Sequence, residues 1–545
     1  MFKLPVEYNK NMPLSTNIIN DLELLKLNES VANFDRDSIF GSLFKVNNIM
    51  TQNALIKMTS LYSYDKKYLK DTQEVIKKYK TDCKPVDLDD VFYKWNEIKT
   101  TKNFKDIYNY CSWNVLDFLN NNDTSLQFIT IYTLLSPIIS LCIPIFGLIL
   151  PFIIIKLKGS PITCNEYFSI LKFVLKNHAL GRALVSFDGD MNKKLYTVLS
   201  VGFYFFSVYQ NIMVCIRFVQ NIQKIHEFLF LMRDYLKLVI EKMDIFGNII
   251  MKYKSYIGFY NDMMKHCNFL KKILVNLESI HPLKISILKI SQLGTIMNYF
   301  YQFYNNKEYE ASFTYSFECL GFLDNLEALT LQPMTKCTFA KRTSIKKMIY
   351  PALIETKNVK NDIVLNKNII ITGPNASGKT TVLKSTLINI ILSQQYGYGC
   401  YGSANIKLYK YLHCYLNIPD TSGRDSLFQA EARRCKEIIE CIKSNKGNHF
   451  CIFDELYSGT NPEEAVLSAN AFMNYLNKRA DCLLTTHYIK LCSMIKNMDN
   501  FKMETIEKDK KLIYTYNFIP GISEVKGGVK ILNDMNFPQE ILNDI

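Results

Sequence analysis

The chain has 545 residues, of which 48% are hydrophobic and 21% are charged, which excludes a disordered chain and leaves room for several domains of roughly 100–200 residues. The formal net charge of +14 favours an anionic partner, either nucleic acid or a lipid surface. A solubility charge in a Lys-rich chain explains that excess equally well.

The 15 cysteines lie singly along the chain and form no C-x-x-C pair. Their spacing therefore predicts neither a disulfide framework nor a zinc site, and it indicates a reducing, intracellular compartment. The N-terminal sequence MFKLPVEYNKNMPLSTN has no apolar stretch, so no secretory signal is expected.

The first region, 1–123, is polar, and its apolar residues recur at the three-to-four spacing of helices. An uncharged run, 124–155, follows and is long enough to span a bilayer. Three prolines recur in it: Pro137, Pro144 and Pro151. Each breaks a soluble helix, whereas in a membrane they mark kinks or a re-entrant hairpin of two short arms.

A second uncharged run, 195–216, lies between Lys194 and Arg217. We predict that both runs, in a region 124–218, form a membrane hairpin or spans; the alternative is buried helices of a large helical core. The lysines between the two runs do not fit exposure on the far side of a membrane, which favours a hairpin or a shallow insertion.

Region 219–340 begins with long amphipathic helical patterns, typical of extended arms. From about 341 onward, and clearly from 367, strand and helix patterns alternate. This order predicts an α/β domain with a mostly parallel sheet at 341–545, preceded by a mainly helical part.

A phosphate-binding loop lies at the start of this domain, where NIIITGPNASGKTT reads as strand, loop and helix. The P-loop spacing predicts nucleotide contacts from the whole loop: Gly373, Pro374, Asn375, Ala376, Ser377, Gly378, Lys379, Thr380 and Thr381. Lys379 is expected to reach the β- and γ-phosphates of ATP, and the Thr380 hydroxyl to bind Mg²⁺.

Two further strands end in polar residues that complete this chemistry. HFCIFDEL ends in Asp454, a predicted Mg²⁺ ligand, and Glu455, which is expected to orient or deprotonate the attacking water. DCLLTTHY ends in His487, predicted to sense the γ-phosphate. The carboxyl ends of parallel strands share one edge of a sheet, so the three segments are expected to meet.

In these motifs the chain resembles the MutS family of ATPases. FDELYSGTNPEEA is similar to that family's DE-x-x-x-GT element, and GRDSLFQAE to its S-T-F-x-x-E segment. The resemblance implies a homodimer in which Ser426, Phe428 and Glu431 complete the partner's site, while the loop Ser458, Gly459 and Thr460 faces the partner. Tyr350 stands where the family has a His beside the adenine, and the tail around Gly527 and Gly528 resembles a helix-turn-helix dimerisation element.

The resemblance implies ATP-driven closure of the dimer in a DNA transaction of mismatch repair or recombination type. The chain departs from mismatch-reading members because no N-terminal Phe-x-Glu reader precedes its lever-like start. It resembles instead a subgroup that lacks the reader and carries apolar segments. The alternative is a membrane-associated ATPase without mismatch recognition; an ABC-type ATPase is disfavoured because no L-S-G-G-Q signature is present.

Overall fold

The computed structural model describes residues 2–25, 38–81, 83, 86–159, 163–177, 191–282, 287–354, 358–416, 426–508 and 511–525. The tail with Gly527 and Gly528 lies outside these residues. The chain forms two compact units from interleaved segments. The sheet unit, as we name it, contains 1–89, 238–268 and 313–545; the helical unit contains 90–237 and 269–312.

The main sheet of the sheet unit has six strands, in the order Tyr411–Tyr415, His449–Asp454, Asp481–Thr485, Asn368–Thr372, Met498–Lys508 and Lys511–Pro520. The first five are parallel, and the last pairs antiparallel with its neighbour. The predicted mostly parallel sheet is thus confirmed. Its register places Asp454 beside Thr485 and Thr485 beside Ile371, so three strand ends meet at one edge.

Helices cover this sheet because its strands carry apolar side chains on both faces, as buried parallel strands do. Cys451, Phe453 and Leu484 face a core formed with the helices Leu427–Ser444, Pro462–Leu476 and Ile489–Met494. The helix Lys379–Tyr396, which follows the phosphate loop, also contacts the sheet and is buried along almost its whole length.

The remaining elements of the sheet unit are short strands and helices. Its other strands are Asn11–Pro13 with Leu61–Ser63, Thr335–Lys336 with Tyr398–Gly399, and a sheet of Thr338–Phe339, Ser403–Ile406, Ser344–Met348 and Asn361–Val364. Its other α- and 3₁₀-helices are Pro5–Tyr8, Thr16–Asp21, Ile39–Phe44, Ile49–Thr59, Lys66–Lys78, Lys254–Tyr256 and Pro351–Leu353.

The helical unit contains only helices among the residues described. They are Leu88–Thr100, which begins in the sheet unit, Phe104–Ile107, Asn114–Asn121, Asp123–Leu157, Cys164–Asn177, Ile287–Ser291 and Leu293–Asn305. Three further helices have residues in both units: Met191–Ile250, Ile257–Glu278 and Lys307–Thr330. The expected boundary between 218 and 219 therefore lies inside a 60-residue helix.

The apolar run 124–155 lies within one helix, Asp123–Leu157, so the prediction of a re-entrant hairpin inside this run is wrong. Proline at i leaves the carbonyl of i−4 without its helical donor. For Pro137 that carbonyl belongs to Thr133, which accepts a hydrogen bond from Ser136 Oγ at 2.9 Å. For Pro144 it belongs to Ser140, which accepts from the Tyr204 hydroxyl at 3.3 Å.

Tyr204 belongs to the helix Met191–Ile250, which contains the second apolar run. Tyr204 contacts Ser140, and Cys215 Sγ lies 3.8 Å from the Leu134 carbonyl oxygen. The numbering rises along one helix while it falls along the other, so the two runs form an antiparallel pair. We call this pair, 124–155 and 195–216, the apolar hairpin.

Candidate nucleotide-binding site

The phosphate loop, Gly373–Gly378, connects the strand Asn368–Thr372 to the helix Lys379–Tyr396. Gly378 has a φ of +97°, a backbone conformation that favours glycine. A Cβ there would also lie only 3.2 Å from the Tyr516 ring, so a larger residue would be crowded as well as strained. The hydroxyl of Ser377 is buried and has no hydrogen-bond partner among the described residues. A buried hydroxyl in this position is suited to donate to a phosphate oxygen.

Lys379 lies across the loop with only 5% of its surface exposed. Its Nζ donates to the carbonyl oxygens of Gly373, at 2.9 Å, and Pro374, at 3.2 Å. Burial lowers the pKa of this ammonium group, and the charges of Glu455 and Asp454 partly offset the shift. A bound phosphate would add negative charge beside this buried cation and stabilise it further.

Thr380 and Asp454 meet although they are far apart in sequence. Thr380 Oγ1 donates to Asp454 Oδ2 at 2.8 Å, and the hydroxyl of Thr485 donates to the other carboxylate oxygen. A hydroxyl and a carboxylate are oxygen ligands of the type that Mg²⁺ prefers. The predicted pair of Mg²⁺ ligands is therefore adjacent in the fold, beside the first turn of the phosphate-loop helix.

Glu455 follows Asp454 with a positive φ of +53°, which non-glycine residues rarely adopt. Its Oε1 lies 2.6 Å from His487 Nε2 and 4.0 Å from Lys379 Nζ. The hydrogen bond from His487 lowers the pKa of Glu455 against the opposing effect of burial, and the charges of His487 and Lys379 lower it further. Glu455 is thus held as a carboxylate at the phosphate loop, as a residue that receives a proton from water must be.

A cavity of about 520 Å³ in the sheet unit is lined in part by the phosphate loop. Beyond loop residues and Glu455, its lining includes Met348, Tyr350, Leu353, Asn358, Val359, Asn361, Met503 and Tyr516. Tyr350 lies where the sequence placed an adenine contact. Met503 and Tyr516 were not predicted, because they lie on the C-terminal strand hairpin and belong to no phosphate-binding motif.

A second cavity, of about 360 Å³, lies on the other side of the loop. It is lined by Thr372, Gly373, Pro374, Asn375, Thr486, His487, Ile489, Ser523, Glu524 and Val525. His487 therefore connects the two cavities. It lines the second cavity, and its ring contacts Glu455, which lines the first. Sequence reasoning predicted His487 but gave no signal for Ser523 and Glu524.

The segment predicted to complete a partner's site begins the helix Leu427–Ser444. Ser426 caps this helix, and its Oγ accepts from the backbone N–H of Gln429. Glu431 is buried and accepts from the N–H and hydroxyl of Ser458, at 3.0 and 2.9 Å, and from the N–H of Gly459. Two motifs that the sequence treats separately are thus joined within one chain.

Gly459 must be a glycine for a steric reason, because a Cβ there would lie 2.8 Å from Leu427 Cβ and from the backbone N of Phe428. The Phe428 ring packs against Tyr457 at 5.6 Å, and Thr460 Oγ1 donates to Glu464. None of the six predicted partner-facing residues lines either cavity described above. Five of them lie at a neighbouring surface of the same domain, whereas Glu431 is buried within its own chain.

Comparisons with known proteins agree with this geometry in the C-terminal part of the chain. A family model described as MutS domain V matches residues 369–545. The DNA mismatch repair protein MutS of Fusobacterium nucleatum is 28% identical over 195 residues, which are 34% of this chain and 21% of that protein. Endonuclease MutS2 of Caldicellulosiruptor saccharolyticus is 28% identical over 204 residues, 36% of this chain and 26% of that protein.

Endonuclease MutS2 of Staphylococcus carnosus is likewise 28% identical over 217 residues, 38% of this chain and 28% of that protein. The chain thus matches only 21 to 28% of the length of these three relatives. The C-terminal part of the chain is therefore similar to MutS domain V and to the matched segments of the MutS and MutS2 proteins.

Proposed function

We propose that this protein is a MutS-like ATPase that hydrolyses ATP to ADP and phosphate. One observation carries the proposal: Lys379, Thr380 with Asp454, and Glu455 with His487 converge from three neighbouring strand ends on one loop. Phosphoryl transfer needs a cation, a metal site and a group that positions water, and this convergence supplies all three.

The loop N–H groups and the start of the helix Lys379–Tyr396 bind the phosphates, because a helix N-terminus carries partial positive charge. Lys379 exchanges its carbonyl partners for β- and γ-phosphate oxygens. Thr380 and Asp454 would hold Mg²⁺, which, when bound, neutralises charge on the phosphates. Glu455 orients the attacking water and receives its proton, and His487 keeps the Glu455 carboxylate in place.

Replacement of Glu455 by Ala tests this assignment. Because Glu455 acts on water and not on the nucleotide, ATP affinity should change little, while turnover should fall about 10²- to 10⁴-fold. Titration with a fluorescent ATP analogue and a phosphate-release assay measure the two quantities.

Glu463→Ala is the matched control, because Glu463 is an exposed carboxylate shortly after the same strand. It should leave both quantities unchanged. Turnover that survives in Glu455→Ala would contradict the ATPase assignment of this site.

We also propose that two copies of the chain complete each other's sites and close on ATP. The proposal is supported by Ser426 and Phe428, which are not buried and lie outside both cavities of their own chain; Glu431 is buried and holds the loop at Ser458. If Ser426 acts across the dimer, an inactive Lys379→Ala chain mixed with an inactive Ser426→Ala chain forms one intact site per heterodimer. The mixture should then exceed the summed activities of the separate variants, and no recovery would argue that each site is complete within one chain.

We propose DNA as the macromolecule on which the dimer acts, in a reaction of mismatch repair or recombination type. The names of the relatives and the charge of +14 support this proposal. Binding through phosphates gives a log affinity that falls linearly with log salt. Titration of matched and mismatched duplexes at several salt concentrations tests it, and an affinity that is absent at low salt would contradict it.

The apolar hairpin favours a second proposal, that the protein acts inside the cell while attached to a membrane. Both of its helices are long and apolar enough to cross a bilayer by length and composition. Only 28% and 6% of their most apolar windows are buried, so they are not core helices of the unit described.

The distribution of side chains on the first helix supports the same proposal. Its buried positions include the small polar residues Thr130, Thr133, Ser136 and Ser140, at helical spacing. Its exposed positions include Phe128, Leu135, Ile138, Leu141 and Phe146. Small polar residues facing inward and apolar residues facing outward are the arrangement of helices packed in lipid.

The substitution Ile138→Lys tests membrane attachment, because a charge near the centre of a spanning helix costs about 2.5–3.5 kcal/mol. The full chain should float with liposomes in a density gradient and resist carbonate extraction, whereas the variant should be extracted. Phe118→Lys is the control, since Phe118 is equally exposed but precedes the apolar helix. A wild-type chain that remains in the soluble fraction would contradict the proposal.

A further inference from the structure

Three potential metal ligands meet at the amino-terminal end of the main sheet, away from the nucleotide site. His413 lies on the strand Tyr411–Tyr415, His449 begins the next strand, and Cys441 lies in the last turn of the helix Leu427–Ser444. One ring nitrogen of each histidine and Cys441 Sγ all lie within 4.8 Å of one another. We propose that these three residues bind a zinc ion.

The donor set fits Zn²⁺ in both chemistry and spacing. Zinc binds imidazole nitrogen at about 2.0–2.1 Å and thiolate sulfur at about 2.3 Å, so its donors lie roughly 3.3–3.8 Å apart in a tetrahedron. His413 Nε2 and His449 Nδ1 are 3.0 Å apart, close to that spacing. Two imidazoles and one thiolate select zinc over the hard cations Mg²⁺ and Ca²⁺. The fourth position is left for water.

The second nitrogen of His449 already has the partner that orients a metal-binding imidazole. His449 Nε2 lies 3.1 Å from the carbonyl oxygen of Asn445. A carbonyl only accepts, so Nε2 carries the proton, and Nδ1 of the neutral ring directs a lone pair towards His413. A backbone carbonyl in this role fixes the tautomer and the ring plane of a zinc ligand.

Zinc would replace the proton that now lies between the two rings. His413 would pass its Nε2 proton to Nδ1, and Cys441 would release its thiol proton to solvent, so the site gains one negative charge for the metal. Arg434, on the same helix as Cys441, donates to the backbone carbonyl oxygen of Cys414, the residue after His413, at 3.2 Å. Arg434 itself is paired with Glu437 at 3.0 Å.

The site would fasten the end of the helix Leu427–Ser444 to two strands. The same helix begins at Ser426 and carries Glu431, so its position decides where the proposed partner-facing residues lie. Sequence spacing predicts no zinc site because the three ligands come from two strands and a helix, and only the fold brings them together.

Metal binding by the full-length chain, purified without a histidine tag and stripped by a chelator, tests the proposal. Zn²⁺ should bind at one equivalent in competition with a chromophoric chelator. Co²⁺ at the same site should show a thiolate-to-metal charge-transfer band and the d–d bands of four-coordinate cobalt. Cys441→Ser should lose the charge-transfer band and weaken zinc binding by about 100-fold or more.

Cys111→Ser is the matched control, because Cys111 is another half-buried cysteine and lies far from the cluster in sequence. It should keep both signals. His413→Asn is a second variant, which should retain the thiol yet lose four-coordinate cobalt bands. A wild-type chain that binds no zinc, or a Cys441→Ser chain with an unchanged cobalt spectrum, would overturn the assignment. These measurements do not depend on ATP turnover.

Discussion

The nucleotide site and the apolar hairpin place their polar side chains for opposite reasons. Around the phosphate loop, charged groups such as Lys379 and Asp454 are drawn inward and paired, because a ligand with opposite charge is to be bound there. In the hairpin, the buried hydroxyl groups of Thr133, Ser136 and Ser140 donate to backbone carbonyl oxygens of their own helix. Buried polar groups are thus consistent with the proposed ATP binding in one region and with the proposed membrane attachment in the other.

The largest test of this contrast is removal of the buried cation. Lys379→Ala should weaken ATP binding by about 10²-fold or more, because the interaction of an ammonium group with phosphate in a buried site is strong. It should also abolish turnover. Nucleotide titration measures the loss. Lys436→Ala, which removes an exposed lysine with a side chain 74% accessible, should change nothing. If Lys379→Ala keeps the full ATP affinity, the buried Lys379 ammonium group stabilises the fold and does not bind phosphate.

The next effect concerns the link between Glu431 and the loop at Ser458. Glu431→Ala leaves two backbone N–H groups and a hydroxyl without their acceptor, so the free energy of unfolding should fall by about 3 kcal/mol. Urea denaturation followed by tryptophan or far-UV signals measures it. Glu440→Ala removes an exposed carboxylate on the same helix. Its free energy of unfolding should fall by less than about 0.5 kcal/mol.

A smaller effect is expected in the hairpin, where it depends on the surroundings. Tyr204→Phe removes the hydroxyl that donates to the Ser140 carbonyl. In water that carbonyl finds a solvent partner and little stability is lost, whereas in an apolar medium the cost should be about 1–2 kcal/mol. Thermal unfolding in detergent micelles and in buffer separates the two cases. An equal shift in both media would weaken the comparison with the nucleotide site.

The smallest effect is a change in pH dependence. The hydrogen bond from His487 holds the pKa of Glu455 below its usual value, so His487→Ala should raise that pKa. Glu455 must be ionised to accept a proton, and the acidic limb of the kcat profile should therefore move to higher pH. The stability that this carboxylate contributes is present above its unfolded pKa and is lost as pH falls through its folded pKa. If the acidic limb of the kcat profile does not move in His487→Ala, that limb reports the ionisation of a group other than Glu455.

The same contrast explains how far the sequence could be interpreted. Lys379, Asp454 and His487 follow buried strands at short fixed distances, so their motifs predict both the element and the role. The link from Glu431 to Ser458, the cavity residues Met503 and Tyr516, and the three zinc ligands depend on packing between distant segments. The continuity of the helix Asp123–Leu157 could not be predicted either, because hydroxyl groups supplied by Ser136 and Tyr204 replace the missing donors.

The carboxylate of Glu431 has one more consequence for a dimer. Because it fastens Ser458 and Gly459 to the helix that begins at Ser426, the two surfaces proposed to meet a partner form one mechanical body. A partner subunit that displaces either surface must carry the other with it. A conformational change caused by the nucleotide of one subunit would then move both surfaces together against the neighbouring subunit. The loop and the helix start would not move independently.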